Sequence, residues 1–151
     1  MLLHDAALSY LHFVFALILA GALAAEVFVL RLPVDGRVAR LLLRIDLFYG
    51  ISAVGVVLAG VARVLWGAKG ADFYMGQPFF WAKMAAFAII GLISIAPTRA
   101  FMRWVKSAVA SADFFVPEAE AEKMRRLVMI ELHVLVLVPL FAALMARAIG
   151  S

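Results

Sequence analysis

Ala6–Leu30, AALSYLHFVFALILAGALAAEVFVL, is the stretch that decides the fold: 25 residues interrupted by only two ionisable side chains of functional interest, His12 and Glu26. A helix needs about 20 mainly apolar residues to cross a bilayer, and this segment exceeds that. Ile45–Trp66, Phe79–Trp104 and Leu127–Ile149 are of the same kind. None shows the period-two alternation of a membrane barrel. The sequence therefore predicts an all-α, antiparallel bundle of four transmembrane helices in a single domain spanning residues 1–151. No Lys or Arg precedes the first apolar run, so it reads as a span rather than a cleaved leader.

The connections are short. Leu32-Pro33-Val34-Asp35-Gly36 reads as a turn and Gly67–Gln77 as a loop, with Pro78 suited to the first turn of the third helix. Residues 117–126 read as a polar helical lead-in to the fourth span, their acids at the positive end of the helix dipole.

Composition agrees. Of 151 residues, 67% are hydrophobic and 16% charged, and the mean hydropathy is +1.06. A soluble domain of this length buries only about 68–70% of its surface, too little to hide so many apolar side chains. Soluble enzymes, disordered chains and nucleic-acid-binding modules are excluded. The formal charge of +4 then reflects the cationic bias of cytoplasmic loops rather than nucleic-acid binding. With no cysteine in the chain, disulfides, zinc fingers and thiolate-held iron are absent.

That bias also predicts orientation. Arg31, Arg37, Arg40, Arg44, Arg99, Arg103, Lys106, Lys123, Arg125 and Arg126 fall on one side, against Arg63, Lys69, Lys83 and Arg147 on the other. The first group is expected in the cytoplasm, with both termini outside, in a multi-pass protein of the bacterial inner membrane.

Ionisable residues inside a bilayer are functional candidates by default. By helix rise, His12 lies about 9 Å and Lys83 about 6 Å below the outer ends of their spans. Glu26, Arg44, Asp46, Arg99 and Glu131 gather near the cytoplasmic end. That second cluster reads as an interhelical ion-pair network, as a proton or ion path, or as a site for an anionic ligand. For His12 the readings are a histidine bonded to helix backbone or Tyr, and a haem or metal ligand. Lys83 reads as a snorkelling anchor or as the cation for a carboxylate such as a haem propionate. His133 lies two residues from Glu131, hence about 160° away around the helix, and reads as packed or interfacial. Asp46, Ala53, Val57 and Gly60 define the expected inner stripe of the second helix. Lys83, Phe87, Ile90, Ser94 and Pro97 define that of the third, with Thr98 expected to satisfy the carbonyl freed by Pro97.

RIDLFYG (Arg44–Gly50), GAKGADFYMGQPFFWAKMAAF (Gly67–Phe87), SIAPTRAFMRW (Ser94–Trp104) and LVPLFAALMARAIG (Leu137–Gly150) resemble a bacterial family of small four-helix inner-membrane proteins, described as predicted membrane proteins of unknown function. The resemblance covers nearly the whole chain. More distantly, a His early in the first helix and a Lys early in the third resemble HemJ-type protoporphyrinogen oxidases and CopD-type membrane proteins. This second resemblance implies haem b or a related porphyrin between the first and third helices, with a redox role. It implies His12 on the iron, Lys83 on a propionate, and Trp81 and Phe87 packed on the macrocycle. The chain departs from it at Trp81, where related proteins often carry a second His. Two alternatives stand beside the porphyrin function: proton, ion or small-molecule transport through the charged cluster, and a ligand-free interaction or assembly protein; the expected partners are the lipid bilayer, a porphyrin and a second copy of the chain in a homo-oligomer.

Overall fold

The computed structural model describes residues 2–67 and 70–147. Its elements are α1 (Leu2–Val29), α2 (Gly36–Trp66), the short α3 (Gly70–Met75), α4 (Pro78–Ala110) and α5 (Glu118–Ala146). The four long helices are each long and apolar enough to cross a membrane. The chain is thus an all-α protein with four candidate spans, and among the described residues the only β pairing is an isolated bridge between Asp35 and Phe115.

The helices outrun the apolar runs that announce them. α2 begins at Gly36 rather than Ile45 because Asp35 caps it: its carboxylate accepts the N–H groups of Arg37 at 2.9 Å and Val38 at 2.8 Å. These bonds, that of Val38 foremost, hold the Asp35 carboxyl below the usual aspartate range. The added turns are amphipathic, with Ala39 and Leu42 fully buried and Arg37, Arg40 and Arg44 turned outward. α4 likewise continues past Trp104 to Ala110, and the acidic lead-in joins the fourth span in one helix, α5. The region read as a loop between the second and third spans contains α3, whose Tyr74 packs with Phe80 and Met145. Lys69 and the expected last residue of the fourth span, Ile149, lie outside the described residues.

The long helices form a square. α1 packs on α2, α2 on α4, α4 on α5 and α5 on α1, while the diagonal pairs α1/α4 and α2/α5 make no close backbone approach. The Val116 N–H donates to the Val34 carbonyl at 3.0 Å, tying the α1–α2 and α4–α5 connections together at one end of the bundle, the loop end. The start of α1, α3 and the end of α5 occupy the opposite, terminal end. Leu19, Leu23, Leu42, Ile90, Phe101 and Val128 fill the centre. Large apolar side chains such as Leu17, Phe28, Leu58, Leu92 and Val136 face outward, as a lipid-facing surface requires.

The tightest contact joins α1 to α2. Gly55 is buried there, and a Cβ at that position would sit 2.6 Å from the Phe15 ring. The inner stripe of α2 thus runs Leu42, Asp46, Tyr49, Ser52, Gly55 and Ala59. Val57, expected on that stripe, is 40% exposed, since a strict helical period carries the buried row past it. Gly55→Ala is therefore expected to lower the thermal midpoint in detergent through about 1–3 kcal/mol of overpacking, with Phe15→Leu restoring part of it. Gly91→Ala, which meets nothing within 4 Å, is the neutral comparison. An unchanged midpoint for Gly55→Ala would contradict this contact.

Candidate functional site

Three acids meet in the bundle toward its loop end. Glu26 on α1 and Glu131 on α5 are each 1% exposed, and Asp46 on α2 is 7% exposed. Each belongs to a core row. Glu26 follows Leu19 and Leu23, Asp46 lies between Leu42 and Tyr49, and Glu131 follows Met124 and Val128, all at helical spacing. The Tyr49 hydroxyl donates to Glu131 Oε2 at 3.2 Å, and the Thr98 hydroxyl donates to Asp46 Oδ1 at 2.9 Å. Oε1 of Glu26 and Oε1 of Glu131 are buried without a hydrogen-bond partner. The charged groups that act on Glu26 are Asp46 and Glu131, both acids themselves.

Of the expected cluster, the structure brings these three acids together and leaves both arginines outside it. Arg44, two residues from Asp46, points to the far side of α2 and is exposed. Arg99 is exposed beside α5. Among the described residues, ion pairs join Arg103 to Glu120 and both Arg125 and Arg126 to Glu122. None reaches Glu26, Asp46 or Glu131.

Tyr49, Ser94 and Thr98 complete the site in roles the sequence reading did not assign. Thr98 bonds Asp46 rather than the carbonyl freed by Pro97, and α4 stays helical through that proline. Ser94 donates to the Gly91 carbonyl at 2.8 Å and lies beside the Tyr49 hydroxyl. The signal was local: Tyr49 is three residues after Asp46, and Ser94 and Thr98 are four apart, so each pair shares a helix face. A cleft of about 580 Å³ between α2 and α4 opens onto Asp46, Tyr49, Ser94 and Thr98, with Phe87 and Ile90 on its wall.

A second, basic group sits toward the terminal end. The His12 Nδ1–H donates to the Val56 carbonyl of α2 at 3.1 Å, and the imidazole lies against Gly60. Lys83 and Arg63 are the charged groups that act on it. Arg63 Nε is buried without a partner, and the Lys83 ammonium lies 5.4 Å from the centre of the Phe80 ring.

The residues implied for a porphyrin divide between two places. His12 and Lys83 come together, and the bond on Nδ1 leaves Nε2 free to ligate. Arg63 adds a second cation for carboxylates. Trp81 is 55% exposed and donates to the Met75 carbonyl, while Phe87 lines the cleft that leads to Asp46. Of the residues a haem would use, His12 and its cations thus come together, and the two aromatic residues do not join them. His133 is exposed on α5, its Nδ1–H bonded to the Met129 carbonyl one turn back at 2.6 Å. Among the described residues, no group of three or more His, Cys, Asp or Glu is placed to hold a metal ion.

No curated protein and no solved structure matches the chain, so the likeness to HemJ-type and CopD-type proteins rests on its own residues alone. The family model for DUF2214, described as a predicted membrane protein, matches residues 4–150. With nearly its whole length covered, the chain belongs to DUF2214, a family of predicted membrane proteins of unknown function.

Proposed function

We propose that this protein moves protons through the bilayer and that Glu26, Asp46 and Glu131 are its proton-binding centre. The observation that carries this reading is the burial of three neighbouring carboxyl groups with no cation among them. An unpaired carboxylate in hydrocarbon is costly, whereas a neutral carboxylic acid needs only hydrogen bonds. Such a centre exchanges protons rather than holding a fixed charge. Tyr49 and Thr98 each donate to one carboxylate oxygen, and Oε1 of Glu131, like Oε1 of Glu26, has no partner and is free to carry a proton. The α2/α4 cleft reaches Asp46 from the bundle surface. Leu19, Leu23 and Ile90, each 1% exposed, form the apolar layer between this centre and His12, and this layer is the gate. On the excess of Lys and Arg at the loop end we read that end as cytoplasmic and both termini as outside, in a bacterial inner membrane.

In proteoliposomes with the membrane potential clamped, the wild-type protein is expected to dissipate an imposed pH gradient, followed with a trapped pH-sensitive dye. Glu26→Gln and Glu131→Gln are expected to reduce the rate to that of protein-free vesicles. Wild-type rates in both variants, or no proton movement in the wild type, would overturn the proposal.

A second reading is a haem b protein with a redox role. It is favoured by the His12–Val56 bond, which fixes the imidazole with Nε2 available. His12 would hold the iron, and Lys83 and Arg63 the propionates. The haem would supply one-electron chemistry, and the protein its orientation. Protein supplied with haem is then expected to show a Soret band with sharpened α and β bands on reduction, lost in His12→Ala without change in its size-exclusion profile. No haem absorption in the wild type, or an unchanged spectrum in His12→Ala, would sink this reading.

A further inference from the structure

A groove of about 590 Å³ runs between α4 and α5 at the loop end, apart from the carboxyl centre. Its two halves differ in chemistry. Leu92, Ile95 and Ala96 form the deeper, apolar half. Arg99, Arg103 and Lys123 line the half nearer the loop end, with Glu120 as the single acid. On α4 these residues follow a spacing of three, four and seven, so they lie on one face. Arg99 stands about 10 Å above Leu92 by helix rise.

Glu120 is already committed. The Arg103 guanidinium and the Trp104 indole N–H both donate to its Oε1, the latter at 2.8 Å. Its carboxylate is thus held by Arg103 and Trp104, and Lys123, three residues on, also acts on it. Arg99 and Lys123 are both exposed and, among the described residues, neither enters an ion pair. Arg99 and Lys123, both outside any ion pair, thus stand beside an apolar stretch on its loop-end side, with Lys123 also within reach of Glu120. Basic pockets between helices at this level bind anionic headgroups, and long cationic side chains reach there from apolar stems.

We propose that the α4/α5 groove binds one anionic phospholipid, its phosphate held between Arg99 and Lys123 and an acyl chain lying along Leu92, Ile95 and Ala96. Charge complementarity selects the occupant. A zwitterionic lipid offers the same chain but no net charge, and free phosphate offers the charge but no chain.

Native mass spectrometry of the full chain, exchanged from nanodiscs of phosphatidylcholine containing a minority of phosphatidylglycerol, tests this directly. The wild type is expected to retain phosphatidylglycerol well above its share of the bilayer. The preference is expected to fall about fivefold for each cation removed in Arg99→Gln with Lys123→Gln. Lys106→Gln with Arg126→Gln, which removes equal charge outside the groove, is expected to keep the preference. Glycerol phosphate added in excess is expected to leave the retained lipid in place. The proposal is overturned if the groove variant retains the preference, if both double variants lose it equally, or if glycerol phosphate displaces the lipid. Those results would mean, respectively, no headgroup contact, a diffuse surface field, and a phosphate site without a lipid chain.

Discussion

Hydrocarbon offers a backbone nothing to hydrogen-bond, so a chain placed in it must satisfy its own N–H and C=O groups, and the α-helix does this within one segment. Four such helices account for about four fifths of this protein. Because lipid is as apolar as leucine, burying leucine does not hold them together; close packing does. At Gly55 the Phe15 ring leaves no room for a side chain between α1 and α2, and Asp35 caps the start of α2. The same solvent sets the terms for every ionisable group. Cations near an end can leave the hydrocarbon by extending, and Arg44 and Arg99 are exposed on the bundle surface. Glu26, Asp46 and Glu131 are too short to follow and stay in the core.

The division of charge that results organises the molecule. Acids occupy the centre near the loop end, His12 with Arg63 and Lys83 occupies the terminal end, and Leu19 and Leu23 separate them on α1. The surface cations at the loop end are a third group, only partly matched by Glu120 and Glu122. Proton exchange suits the first group, an anionic ligand the second, and a lipid headgroup the third.

Hydropathy made the four spans legible but not their ends. The residues from Arg37 to Arg44 are helical, yet their arginines stop a hydropathy window, and only the capping Asp35 marks the true start. α4 outruns its apolar stretch past Arg103 for the same reason. Spacing along each helix grouped Glu26, Asp46 and Glu131 toward one end. It did not give the rotation of one helix against another, and that rotation decides pairing. Arg99 lies at the depth of the acids but turns to α5. Tyr49 and Thr98 reach acids 82 and 52 residues away, partners that no local pattern specifies. For the same reason Trp81 and Phe87, near Lys83 in sequence, face different surroundings from it.

The central claim is that the core acids carry protons rather than counter-cations. Infrared spectroscopy of the protein in lipid at neutral pH reads this directly through the carbonyl stretch of protonated carboxyl groups. The account requires that band in the wild type, with loss of intensity in Glu26→Gln and again in Glu131→Gln. A wild-type spectrum with carboxylate bands alone would show the acids to be ionised in the core, and would contradict the account.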